Sequence, residues 1–339
     1  MRGWAVALLI VLAGCGYSAW ALWHWWTAPF PIDEPGTVFV RPGDSVGEFA
    51  LRMEAAGLLD HPRRLRWTTG IAGLAGSLKV GEYPVSPGDT PQRLMTRIGA
   101  GEVISYRFRI AEGARIAGVL ADLGAHPKIA ATLAGAAPET LLAALGVDAE
   151  AGTSHGEGWF FPDTYRFVAG DEDRDLLLRA HLKMREELAA AWAARAAGLP
   201  YRQPYEALTA ASIVEKETSR KADRADISQV IAARLESGMR LQMDPTVIYG
   251  LGEEFGGNLT RAHLRQPTPY NTYVHKGLPP TPIGMPGRDS LHAAVQPSGA
   301  PWLYFVSRGD GTSEFSSTLQ EHQAAVSKYQ LKGKKKGKN

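Results

Sequence analysis

Hydrophobic positions in this chain come first as an unbroken block and only later as periodic patterns. From Gly3 to Ile32 there is no Asp, Glu, Lys or Arg, and the run "WAVALLIVLAGCGYSAWALWHWW" at 4–26 exceeds the roughly 20 residues a helix needs to cross a bilayer. "TAPFPIDEPG" at 27–36 carries three prolines and reads as a linker. "VFVRPGDSVGEFALRMEAAGLL" then predicts a strand, a turn and a helix opened by a capping box of Ser45 and Glu48, with Val46, Phe49, Ala50 and Met53 on one buried face. After a basic polar patch, "HPRRLR", the stretch "SLKVGEYPVSPGDTPQRLMTRI" repeats strand, turn and helix, so that the two "PGD" turns form a weak internal echo. Strict alternation at 103–110 puts Ile104, Tyr106, Phe108 and Ile110 on one face of a half-buried strand. The following helix has Ile116, Val119, Leu120 and Leu123 on its core side. Helices are also expected in the Ala-rich stretch 127–150 and at 171–197, 205–217 and 226–237, and a hairpin at 302–317 around Asp310-Gly311. Strands and helices that do not alternate regularly point to an α+β fold: a single N-terminal transmembrane helix, a small α/β module over 37–103, and a larger α+β part.

The flanks of the apolar block set its orientation. Arg2 precedes it and the first acids, Asp33 and Glu34, follow it, which puts residues 1–3 in the cytoplasm and everything after about residue 27 outside it. Five of the nine tryptophans, at 4, 20, 23, 25 and 26, flank the run as an interfacial belt does. A competing reading is the lipobox-like "LAGC" at 12–15, with Cys15 as the lipidated residue; against it, the apolar stretch runs on for eleven residues past Cys15, longer than a cleaved signal requires. Cys15 is the single cysteine, which excludes an intramolecular disulfide and a zinc site built on several thiolates. With 339 residues, 45% hydrophobic and 21% charged, the chain has room for about two domains of ordinary composition. Its net charge of +2 comes from five lysines in the last eight residues, so 331–339 reads as a basic disordered tail and the body gives no support to nucleic-acid binding.

Four clusters interrupt the periodic segments: "EGWFFPDTY" (157–165), "ASIVEKETSR" (211–220), "GMRLQMDPTVIYGLG" (238–252) and "PTPYNTYVHKGLPPTPIGMPG" (267–287). Long ordered loops of this kind usually carry function. In the second, Glu215 and Glu217 end an apolar helix, and a carboxyl held against apolar surface becomes a proton donor near neutral pH. Glu217 follows the stripe of Ala210, Ile213 and Val214, while Glu215 lies on the face of Leu208, Ala211 and Ser212. Spacing alone does not choose between them. In the third cluster, Asp244-Pro245 starts a turn, and Gln242, Asp244, Thr246 and Tyr249 surround an apolar run.

The order and wording of these clusters resemble the endolytic murein transglycosylase (MltG, YceG-like) family of bacteria, through "EGWFFPDTY", "ASIVEKET", "MRLQMDPTVIYG", "YNTY", "GLPPTPI" and "LYFVSRGDGTSEFSSTLQEH". The resemblance covers roughly residues 37–330. It departs from the pattern at Trp159-Phe160 and at Met243. It implies a LysM-like module at 37–103, a YceG-like catalytic domain at 104–330, and a catalytic acid at Glu217, with Glu215 the alternative. Gln242, Asp244, Asn271 and Tyr273 are then candidates for holding the sugar or orienting Glu217, and Asp244 is a candidate second carboxylate that would permit hydrolysis. The implied reaction is non-hydrolytic cleavage of the MurNAc-GlcNAc bond of nascent peptidoglycan strands, leaving 1,6-anhydro-MurNAc ends and terminating strand elongation. No cofactor or metal is implied. Partners would be peptidoglycan glycan strands, the lipid bilayer and peptidoglycan synthases, and the location the inner membrane with the catalytic part periplasmic. Two other classes compete: a membrane-anchored peptidoglycan-binding protein without turnover, and a zinc hydrolase, for which the scattered histidines offer no ligand spacing.

Overall fold

The computed structural model describes residues 2–74, 76, 78–147 and 155–331, so Met1 and residues 332–339 of the expected basic tail lie outside it. The chain divides into two units, Met1–Arg107 with Arg166–Asp171, and Phe108–Tyr165 with Glu172–Asn339.

The first unit opens with α1 (Arg2–Thr27), whose residues Trp4–Thr27 are long and apolar enough to cross a membrane. Then come β1 (Gly36–Val40), α2 (Val46–Ala55), α3 (Pro62–Ile71), β2 (Gly81–Val85) and α4 (Pro91–Ala100). The basic patch "HPRRLR" opens α3: Pro62 sits in the first turn, where its missing N–H costs nothing, and Leu65 is buried. The Ser45/Glu48 capping box forms as expected.

The weak echo of the two "PGD" turns is a repeat of the whole strand-helix unit. Each second element begins 45 residues after the first, and β1 pairs antiparallel with β2 so that Val38 meets its own counterpart, Tyr83. Phe49, Ala50 and Met53 correspond to Leu94, Met95 and Ile98, and all six are buried. Each turn aspartate accepts from the backbone N–H three residues back and from an arginine eight residues on, Arg41 and Arg52 for Asp44, Ser86 and Arg97 for Asp89. Full burial of a Phe, Leu or Met side chain is worth about 1.5–3 kcal/mol, so these matched faces supply much of the unit's stability. The 27–36 stretch is tied into the same core: Phe30 is buried, and its N–H donates to Asp89 O at 2.8 Å.

The chain leaves the first unit along β3 (Ser105–Arg109) and returns to it along β4 (Thr164–Val168), and these strands form a second two-stranded sheet. The second unit contains α5 (Ile116–Ala125), the short α6 (Leu141–Ala144), α7 (Asp173–Ala193), α8 (Pro204–Glu217), α9 (Lys221–Glu236), α10 (Asp244–Leu251), α11 (Arg288–Val295), β5 (Tyr304–Ser307), β6 (Ser313–Ser316) and α12 (Leu319–Val326). β5 and β6 form the expected antiparallel hairpin. The Ala-rich stretch is mostly not helical. Gly135, Pro138 and Gly146 interrupt it, and Asp173 holds its chain by accepting from the Thr132 and Leu133 N–H groups; residues 148–150 lie outside the described residues. Asp244-Pro245 starts a helix rather than a turn, with Pro245 in its first turn. Mixed helices and small two-stranded sheets make the fold α+β.

Candidate active site

α8 is buried on every side, with Tyr205 and all residues from Ala207 to Val214 inaccessible. The faces leading to Glu215 and to Glu217 are therefore both apolar, and burial of the stripe does not separate the two carboxylates. Their partners do. Glu215 Oε1 accepts from Arg224 Nη2 at 2.9 Å and its Oε2 from the Gly287 N–H at 2.9 Å, and the side chains of this ion pair are each 6% exposed. Glu217, the last residue of α8, has an Oε2 that is shielded from solvent and has no hydrogen-bond partner. Burial, and secondarily the charge of Asp244, pushes the Glu217 carboxyl up to about 7. Its place at the negative end of the helix acts in the same direction.

Glu217 faces a cavity of about 370 Å³ that is also lined by Arg234, Gln242, Asp244, Tyr273 and His322, with Phe305 to Ser307 of the hairpin along one wall. Asp244 begins α10, and its Oδ1 accepts from the Tyr273 hydroxyl at 2.6 Å. Burial, with Asp244 beside it, raises the Tyr273 pKa, so the phenol keeps its proton and serves as a donor. Gln242 has φ +52, the one non-glycine positive φ among the described residues. Such backbone costs about 1–3 kcal/mol unless its surroundings enforce it, and it clusters at functional sites. Here Thr272 enforces it: the Gln242 N–H donates to Thr272 O at 3.1 Å, the Met243 N–H to Thr272 Oγ1 at 3.0 Å, and Thr246 Oγ1 lies 2.8 Å from the same hydroxyl.

Asn271 is not among the residues lining the cavity. It is fully buried, its amide donates to the carbonyls of His263 (3.2 Å) and Gln266 (2.8 Å), and its Oδ1 accepts from the Tyr273 N–H at 2.9 Å. Asn271 thus shapes the loop that presents Tyr273. The proline-rich loop is fastened to α8 from the other side, by the Ile283 N–H to Ser212 Oγ at 3.0 Å and by the Glu215 bond already described.

Among the lining residues that sequence patterns did not single out, two are titratable. Arg234 on α9 donates to Leu303 O at 2.7 Å and Leu241 O at 2.6 Å, joining the hairpin to the segment before Gln242, and burial lowers its pKa. It falls on the buried stripe of Ile227, Val230 and Ile231, and a charge at such a position was the available signal. His322 on α12 stacks on Tyr304 with ring centroids 5.2 Å apart, has a buried Nδ1 without a partner, and is held below its usual pKa by burial and by Arg234. It is the histidine of the terminal "EH".

A second buried carboxyl lies outside this cavity. Glu157 is 1% exposed and accepts from the Ile116 N–H at 3.1 Å and the Tyr249 hydroxyl at 2.9 Å. Burial pushes it up to about 7 despite these donors and the nearby charge of Arg115. Beside it, Gly158 has φ +82, and a Cβ there would lie 2.5 Å from Pro282 of the proline-rich loop, which accounts for glycine after Glu157. Among the described residues, no three of His, Cys, Asp and Glu converge as metal ligands do.

A desolvated, unpartnered carboxyl opening on a polar cavity, with a second carboxylate and a phenol alongside, is a constellation suited to acid-base work on a bound molecule. The chain belongs to the YceG-like family, which it matches over residues 38–328. It is similar to an endolytic murein transglycosylase of Bacillus subtilis (strain 168), 27% identical over 316 residues, with 89% of this chain and 87% of that protein covered. An endolytic murein transglycosylase of Streptococcus pneumoniae serotype 2 (strain D39 / NCTC 7466) is 25% identical over 324 residues, and the match spans 86% of this chain and 58% of the pneumococcal protein. Among solved structures, a yceG-like protein from Listeria monocytogenes is 28% identical, with a TM-score of 0.48 over 86% of this chain and 99% of that one.

Proposed function

We propose that the protein is a membrane-anchored lytic transglycosylase that cuts peptidoglycan strands internally, with Glu217 as its acid and base. The observation that carries this reading is the contrast at the end of α8: Glu215 is consumed by Arg224 and Gly287, whereas Glu217 is left desolvated and unpartnered in the cavity. Its relatives' activity on murein supplies the substrate class.

In this mechanism protonated Glu217 donates to the bridging oxygen as the bond from muramyl C1 breaks and an oxocarbenium-like centre develops. The resulting carboxylate takes the proton from the muramyl 6-hydroxyl as that oxygen bonds to C1. Glu217 ends protonated, no water is consumed, and one product carries a 1,6-anhydro-muramyl end. Asp244, which accepts from the Tyr273 hydroxyl, favours the protonated form of Glu217 at the start and stabilises positive charge near C1 later. Gln242 and Arg234 bind sugar or stem-peptide oxygens, and Asn271 acts through Tyr273.

The order β1-α2-α3-β2, with its strands antiparallel, supports reading residues 37–103 as a LysM-like glycan-binding module. With α1 in the inner membrane and the remainder periplasmic, the enzyme meets strands where synthases make them, and its cuts end their elongation. Mass spectrometry of products from long uncrosslinked strands tests the whole reading. Internal cuts with anhydro ends, each lighter by one water than a hydrolytic end, are expected. Reducing muramyl ends would show hydrolysis, with Asp244 or another carboxylate activating water, and retention of intact strands would leave a binding protein without turnover.

A further inference from the structure

We propose that the outer face of the C-terminal half of α3, carried by Trp67 and Ile71, forms a second membrane contact, seated in the headgroup region of the bilayer that α1 spans. The proposal rests on the reading of α1 as a membrane anchor.

α1 is not tethered to the first unit by a free linker. Trp26 is 4% exposed and Phe30 5%, and both belong to the same hydrophobic core as Phe49, Tyr83 and Ile98. The end of the helix is thus part of the module's own packing, and the membrane normal fixes how the module faces the bilayer. The last turn of α3 runs back beside that end: Thr68, Ile71 and Ala72 share a cavity of about 340 Å³ with Ala19, Leu22, Trp23 and Trp26. From Ala19 to Trp26 a helix rises about 10 Å, comparable to the depth of the interfacial layer. Trp20 and Trp23, 59% and 62% exposed, mark this level as an aromatic belt does.

What α3 exposes there suits lipid. Leu65, Thr68 and Thr69 face the core, while Trp67 (62% exposed) and Ile71 (80%) stand four residues apart on the outer face. Arg63, Arg64 and Arg66 precede Trp67 and no charged residue follows them within α3, whereas Leu74 and Leu78 beyond its end pack against the unit's own core. An exposed apolar pair next to a basic cluster is the arrangement of an interfacial helix, with its wedge at the acyl boundary and its cations at lipid phosphates. The patch is continuous with the exposed apolar surface of α1, so a water-borne partner would have to bind where lipid already lies.

The test uses the full chain with Cys15→Ser, carrying one environment-sensitive fluorophore at Ile71→Cys or, in mid-span, at Leu12→Cys, in nanodiscs with and without doxyl-labelled phospholipid. Ile71 is so exposed that its replacement leaves the core intact. Loss of fluorescence at both sites on adding doxyl lipid, with the Ile71 label protected from aqueous iodide, is the expected result. An Ile71 label quenched by iodide and untouched by doxyl lipid, while the Leu12 label is quenched by lipid, overturns the second contact and leaves the anchor standing. A Leu12 label untouched by lipid removes the anchor and the proposal with it.

Discussion

Two glutamates two positions apart differ in what they touch, and this difference makes separable predictions. Glu217→Gln keeps the side chain's size and removes its proton chemistry, so cleavage should fall by about 10²–10⁴-fold with the fold retained, as product release and circular dichroism would report. Because the native carboxyl titrates near 7, cleavage should also decline as pH rises through about 7, where the donor proton is lost; a flat profile from pH 6 to 8 would count against Glu217 as the acid. Glu215→Gln instead leaves the 6%-exposed Arg224 without its counter-charge, and breaking a buried pair costs about 3–5 kcal/mol. Its signature is a lowered melting temperature, with activity per folded molecule largely kept. An apolar helix ending in carboxylates was legible as a candidate site. The choice within it was not, because the decisive partners, Arg224 and Gly287, come from α9 and a loop distant in sequence.

At the scale of elements, strong local patterns translated directly: the capping box of α2, the alternation of β3 and the hairpin of β5 and β6 all stand where periodicity put them. Helix formers without a buried face did not, since the alanines of 127–147 gain nothing from a helix that glycine and proline keep interrupting. β4 was hidden in an aromatic cluster, and α9 begins at Lys221 on charged residues that carry no stripe. The turn into α10 holds the clearest local conflict, because Gln242 occupies backbone that glycine prefers. Gln242→Gly should relieve it and stabilise the fold by up to about 1 kcal/mol while weakening cleavage through loss of the side chain from the cavity. Equilibrium denaturation and product release on the same sample check both halves, and a variant that is destabilised, or stabilised with undiminished cleavage, contradicts the assignment.

Over the whole molecule, the order of long apolar helix, small strand-helix unit and larger α+β part was legible because each has its own hydrophobic pattern, but the return of residues 166–171 to the first unit was not, since nothing local announces a long-range strand partner. Titration connects this architecture to stability. In the first unit, the bond from Arg52 holds Asp44 below its ordinary pKa, and at Asp89 the bonds from Arg97 and Ser86 outweigh the effect of burial. These contributions are present above the unfolded value of 3.8 and are lost as pH falls through the lower folded values. Glu157 has the opposite sign. Between its unfolded value of 4.5 and its folded value of about 7, the native state keeps a proton that the unfolded state releases, so stability present below 4.5 is lost as pH rises to 7. For this 1%-exposed group the loss is about 3 kcal/mol, and Glu217, raised over the same range, adds a loss of the same sign. Melting temperature should therefore be highest near pH 4–5 and fall toward pH 8. Glu157→Gln can still accept from Tyr249 or Ile116 but carries no titrating proton, so the alkaline decline should flatten and the variant should gain on the parent steadily from pH 5 to pH 8. Parallel curves for parent and variant across that range would mean that Glu157 is ionised in the folded protein, with Arg115 and its two donors outweighing burial.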